Sequence, residues 1–244
     1  GRFDRSVKFA DKIRWPTSVC CYDGGVFVLA PPKLHYFKDT TGDGVADIRR
    51  DILTGFGREN VQSVANNLKW GLDNRITLAA GRNGGKLSHK GQAVLTLGGK
   101  DISFDPRTID VRALTGGVQF GNSFDAWGNR FVCSNSNHIQ HIVLPRRYLS
   151  RRPGLNPPAA IRSIAAGGAA APVYRKSSAE PWRIVRTRRR VSDPRIKARL
   201  PRTEQFAIGF FTSATSVTIY NGDAYPEAFR GNAFIGDVGG NLVH

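Results

Sequence analysis

The chain holds no methionine, three cysteines, few acids and no long apolar run. No stretch approaches the ~20 apolar residues of a membrane-spanning helix, and no leader-type pattern opens it. Beginning on Gly1 without a methionine, it reads as an internal or processed piece. The three cysteines form no Cys-x-x-Cys, which excludes a zinc ribbon and a c-type haem attachment within these 244 residues. Cys20, Cys21 and Cys133 read as small buried apolar side chains. There is no Gly-x-Ser-x-Gly, no Walker loop and no dinucleotide fingerprint, so common hydrolase, nucleotidase and NAD-dependent classes have no footing. Acids are the scarcest charge: 19 Asp and Glu face 36 Lys and Arg, for a net +17. That balance suits an anionic ligand, an acidic surface or nucleic acid, and an Arg-rich codon bias produces it as well.

What the chain does contain is a recurring turn followed by a strand. The copies are Asp23-Gly24-Gly25 before Val26–Leu29, Asp73-Asn74 before Arg75–Leu78, Asp125–Asn129 before Arg130–Cys133, and Phe229–Asn232 before Ala233–Gly236. Their strands begin at 26, 75, 130 and 233, at spacings of 49, 55 and 103. The last spacing is about double, so a further strand is expected near 181, at Trp182–Val185. A period of ~40–50 residues with β-type turns predicts an all-β propeller rather than a helical solenoid. About five blade-like units are counted, an incomplete propeller forming a single partial domain over 1–244.

Short alternating strands with turns every ~8–12 residues agree with that class. Ser18–Tyr22, the turn at 23–25 and Val26–Ala30 form a hairpin signature. Lys33–Phe37 and Ile48–Leu53 follow, flanking an acidic loop. Segment 146–180 breaks the rhythm with four prolines and an Ala/Gly stretch, and reads as an insertion within the domain. Segment 175–202 holds eleven Lys or Arg against Glu180 and Asp193, and Arg188, Arg189 and Arg190 read as a basic strand.

Four groups of residues carry candidate chemistry. In the acidic loop, Asp39, Thr41, Asp43, the Val45 carbonyl and Asp47 occupy alternate places around Gly44, the pattern of a Ca²⁺ loop. The twelfth place is Arg50 instead of a bidentate Glu, and an Asp/Gly turn between two strands uses the same residues. His138 and His141, three apart, cannot share one face of a strand, which leaves His138 to a loop end. A neutral imidazole there accepts a hydroxyl proton; a hydrogen-bonded loop histidine is the plainer reading. Arg183, beside Trp182, has the guanidinium geometry that clamps carboxylates, or else a solvated stem over apolar surface. Asn66, Asn67, Trp70, Arg82 and Asn83 flank the second repeat and offer amides, an aromatic wall and a positive charge to a ligand. Only Trp182 interleaves the basic segment, which speaks against nucleic acid.

Two long stretches carry a resemblance. One is Phe37–Asp47 with Leu53–Gly57 and Asn67–Asn74; the other is Phe120–His138, continued at Glu180–Arg183. Together they resemble the membrane-bound dehydrogenase domain found in haem-binding proteins of planctomycetes and verrucomicrobia, similar to the soluble quinoprotein glucose dehydrogenase propellers. The resemblance spans nearly the whole chain. It implies a six-bladed propeller in the periplasm or cell envelope, oxidising a sugar or alcohol and passing electrons to a c-type cytochrome domain outside this chain. In that scheme His138 is the base, Arg82, Gln119 and Arg183 clamp cofactor or substrate, and the 39–47 loop holds Ca²⁺. The departures count against pyrroloquinoline quinone: Gly117-Val118-Gln119 precedes Phe120-Gly121 where sugar dehydrogenases place Arg-Asn, and Arg82, not His, precedes Asn83-Gly84-Gly85. The same departures favour an alternative, a non-catalytic propeller scaffold for a glycan or protein partner.

Overall fold

Ten strands build the first of two units in the computed structural model, which describes residues 4–154 and 156–244. Gly1 to Phe3, and Leu155 within the expected insertion, lie outside the described residues. The units are Gly1–Val118 and Gln119–His244. The fold is mostly β, in four antiparallel sheets.

In the first unit, β1 (Ser18–Tyr22) and β2 (Gly25–Ala30) form the expected hairpin. Asp23 and Gly24 both take positive φ, 46° and 68°, the geometry of a tight type I′ turn that matches the strand twist. β3 (Lys33–Lys38) and β4 (Ile48–Phe56) continue the meander. β5 (Asn66–Trp70) and β6 (Ile76–Ala79) start a second sheet. The chain then leaves it: β7 (Gly85–His89) and β8 (Gln92–Thr96) extend the first sheet from the edge of β4. β9 (Lys100–Phe104) and β10 (Val111–Thr115) return to β6. Gly55, at φ 95°, sits so close to β7 that a Cβ would stand 2.0 Å from the Lys86 carbonyl oxygen. The core is aromatic: Phe27 lies 5.3 Å edge-on to Phe104, 5.2 Å from Tyr36 and 5.6 Å stacked on Tyr22. Leu29, Leu34, Leu53, Ile76 and Leu78 close around them.

The second unit carries β11 (Phe120–Phe124), β12 (Arg130–Cys133), β13 (Gln140–Ile142) and β14 (Ile161–Ser163) in one sheet, joined between β13 and β14 by the one-turn helix α1 (Arg146–Leu149). The expected insertion therefore contributes a strand. A helical stretch, α2 (Pro181–Ser192) and α3 (Pro194–Lys197), precedes the last sheet, β15 (Ala214–Ile219), β16 (Ala233–Asp237) and β17 (Leu242–Val243). Cys133, Phe211, Ala214, Val217 and Ile235 form its core.

The repeat copies fall on β2, β6, β12 and β16, in each case the second strand of its sheet. The fifth copy does not exist. Residues 181–192 are helix, with Pro181 in the first turn where its missing N–H has no partner to lose. The basic strand at Arg188–Arg190 is likewise the end of this helix, where its cations oppose the negative pole of the dipole. Four sheets, not five units, span the described chain.

Candidate functional site

In the second unit, three of the residues singled out in the sequence meet at one short segment, Phe211–Ala214. Gln119 is buried and its Oε1 accepts the Asn135 N–H at 3.4 Å, while the Asn135 carbonyl accepts the Ala214 N–H at 3.0 Å. His138, in the loop after β12, stacks on Phe211 at 4.0 Å and meets His244 edge-on at 5.5 Å. His141, on β13, packs separately on Phe131 at 5.0 Å. Arg183 projects inward from α2; its Nη1 donates to Ser213 Oγ at 3.0 Å and its Nη2 to Thr212 Oγ1. Asp237, at the end of β16, completes the cluster: its carboxylate accepts the N–H groups of Ser213 at 3.2 Å and Gly240 at 2.5 Å. His138 Nδ1 and Arg183 Nε are buried without a hydrogen-bond partner among the described residues.

Burial, and then His244, hold the His138 imidazole below the usual histidine range. Burial, and then Arg186, lower Arg183, while Asp237 opposes the shift at both residues. The histidine shift fixes the sign of a pH effect. An unfolded His138 takes a proton below about pH 6.5, and the folded one resists until lower pH. Stability is therefore complete above that pH and declines as pH falls through the interval between the two values. Chemical denaturation from pH 7.5 to 5 should show the decline, and His138→Phe, which keeps the stack, should flatten it; His35, also lowered by burial, retains its share.

A second constellation lies in the first unit. The β1–β2 turn and the end of β5 border a cleft of about 630 Å³ lined by Phe9, Tyr22, Asp23, Gly24, Gly25 and Trp70. The Trp70 indole is 42% exposed and is held by its Nε1 donating to the Cys21 carbonyl at 3.3 Å. Tyr22 lies 6.2 Å from it at 48°, braced from behind by Phe27. Asp23 stands exposed at the rim, with Lys38 Nζ 3.5 Å away. The arrangement is an apolar wall with a few polar groups at its edge, the usual construction of a small-ligand site. Trp70 belonged to the aromatic wall expected beside the second repeat. Phe9 and Tyr22 were not singled out, although Tyr22 directly precedes the hairpin turn.

A family model described as a domain of unknown function, DUF7133, matches residues 1–244. The chain belongs to this family. No curated protein and no solved structure matches the chain.

The remaining expectations meet the following geometry. In the acidic loop, Asp39 accepts the N–H groups of Thr41, Gly42 and Gly44 at 2.7–2.9 Å, Asp47 accepts Thr40, and Asp43 accepts Val45. Thr41 Oγ1 also donates to Asp39, at 3.2 Å. The amides of Gly44, Gly42 and Thr41 hold the Asp39 carboxyl below its usual range. The carboxylates close the loop on itself, and no three His, Cys, Asp or Glu among the described residues stand together as metal ligands. If the loop holds Ca²⁺, adding Ca²⁺ after EDTA treatment raises the melting temperature by several degrees; an unchanged melting temperature would leave the carboxylates as turn-closing groups alone.

Arg183 and Gln119 are part of the second unit's interior. Each has polar atoms engaged by neighbouring protein groups, and Arg82 is exposed in the first unit. A quinone with several carboxylates needs accessible cations around one opening, so these residues do not fit pyrroloquinoline quinone. Cys133 is buried, its thiol pushed up to about 12 and so inert at neutral pH, as is Cys20 at about 11; Cys21 is exposed, contrary to expectation. No helix among the described residues is long and apolar enough to cross a membrane.

Proposed function

We propose that this domain is a β-propeller-type binding module of the cell envelope whose ligand is a carbohydrate, taken at the Phe9–Tyr22–Trp70 cleft. The observation that carries the reading is the exposed indole of Trp70 beside Tyr22, with Asp23 and Lys38 at the rim. One face of a pyranose ring presents only C–H groups and lies against an aromatic plane. Its hydroxyls then reach the carboxylate and ammonium at the edge. The two sheets of the second unit, β11-β12-β13-β14 and β15-β16-β17, are meanders in chain order, and each of the four sheets opens on a hairpin; this supports the propeller reading, because blades are meanders of this kind, while the β7–β8 hairpin on the edge of β4 departs from it. Function in such folds sits on the loops and turns that the strands hold in place.

Titrating a panel of neutral and acidic oligosaccharides into the protein while following tryptophan fluorescence tests this reading. Binding in the range of roughly 0.1–1 mM is expected for at least one sugar. Trp70→Ala should weaken it about tenfold, the loss of one aromatic stacking partner worth ~1 kcal/mol or slightly more. Trp70→Phe should retain part of the affinity. Equal affinity in all three proteins would exclude the cleft.

A second reading is favoured by the two buried nitrogens without partners. In an oxidation of a sugar or alcohol, His138 Nδ1 would take the hydroxyl proton while a bound two-electron acceptor takes the hydride from carbon, its electrons then leaving one at a time to the c-type cytochrome domain that the resemblance places outside this chain. Sugar-dependent dye reduction by the full-length protein, lost in His138→Gln, would establish it over the binding module.

A further inference from the structure

The helix α2 presents an unpaired face that neither reading uses. Arg183 and Thr187 turn inward and are buried, while Arg190, which also lines the outer groove, pairs with Glu204 at 2.6 Å. At helical spacing on the other side, Trp182, Val185, Arg186 and Arg189 line a groove of about 520 Å³, closed by Ile196 of α3. Trp182 and Val185 are more than half exposed. α2 contains five arginines and no acid. Of these, Arg186, Arg188 and Arg189 form no ion pair among the described residues. The apolar side chains and free guanidiniums occur in one groove, so an occupant must satisfy both.

We infer that this groove docks an acidic segment of a protein partner, one in which carboxylates flank a large apolar side chain. Charge complementarity selects the acids: a guanidinium takes a carboxylate through two parallel hydrogen bonds, and the two unpaired ones that line the groove, Arg186 and Arg189, have none. The exposed apolar side chains of Val185 and Ile196 select a large apolar side chain that packs against them. Nucleic acid fits less well. Single-strand binding uses open aromatic faces, whereas the Trp182 ring already carries Arg186 at 5.1 Å and Arg183 at 5.8 Å.

The test uses the full chain and a fluorescein-labelled peptide of about 14 residues in which Glu pairs alternate with Leu and Phe, read by anisotropy. Binding near tens of micromolar is expected at about 0.05 M salt, weakening at about 0.5 M as the charges are screened. Arg186→Glu with Arg189→Glu should weaken it at least tenfold, and Trp182→Ala several-fold. Poly-Glu of equal length should bind more weakly than the mixed peptide. Arg189→Glu alone, at an exposed residue without a protein partner, guards against a folding artefact and should still weaken binding measurably. Absence of binding at millimolar peptide, equal affinity in the variants, or tighter binding of oligo-dT or phosphatidylglycerol vesicles would each overturn the proposal.

Discussion

Asp237→Ala is expected to be the most damaging single change in the second unit, lowering stability by about 2–4 kcal/mol. The carboxylate is 2% exposed and holds two amides, those of Ser213 and Gly240. It is also the negative charge that opposes the downward shifts of Arg183 and His138. Its loss leaves the Ser213 and Gly240 amides without an acceptor, and a buried donor left unpaired costs its full desolvation. Asp237→Asn keeps one oxygen for one amide, so an intermediate loss is expected. Urea denaturation of the two variants gives the comparison. Equal and small losses would show that the carboxylate holds neither the amides nor the charge.

Phe27→Ala should cost roughly 3–5 kcal/mol in the first unit, by leaving a cavity among rings that cannot collapse together. Phe27 is 2% exposed and touches Tyr22, Tyr36 and Phe104 from different directions. The change also removes the brace behind Tyr22, one wall of the cleft. Phe27→Leu, which keeps most of the volume, should cost about 1–2 kcal/mol. If Phe27→Leu also weakens sugar binding, the ring acts on the cleft through Tyr22. Thermal melting separates the two variants by several degrees for a chain of this length.

Much of the strand pattern was legible because its signal is local. Asp23-Gly24 supplies two residues at ease with positive φ between alternating strands, and such a turn is visible in a few letters. The helix at 181–192 was misread for a reason equally local. Its outward stripe alternates Trp182 and Val185 with arginines, so the 3.6-residue apolar period is masked, while Trp182-Arg183-Ile184-Val185 alone resembles a strand. Pro181 at its start was the available sign. The β7–β8 hairpin joins a sheet begun 67 residues earlier, from Ser18 to Gly85, a pairing that periodicity does not encode.

The site was legible only in pieces. Gln119, His138 and Arg183 were each visible as chemistry, but what unites them is Phe211–Ala214, with Asp237 arriving from a strand end far along the chain. None of those contacts leaves a local trace. The same holds for the cleft. Phe9, Tyr22 and Trp70 lie on three separate segments, and only folding places them on one wall.

The domain holds four tryptophans, so its indole N–H resonances can be followed one by one during a sugar titration. The Trp70 signal is expected to move with the bound fraction while those of Trp15, Trp127 and Trp182 stay in place. An oligosaccharide that binds and leaves the Trp70 indole unmoved would contradict the assignment of carbohydrate to this cleft.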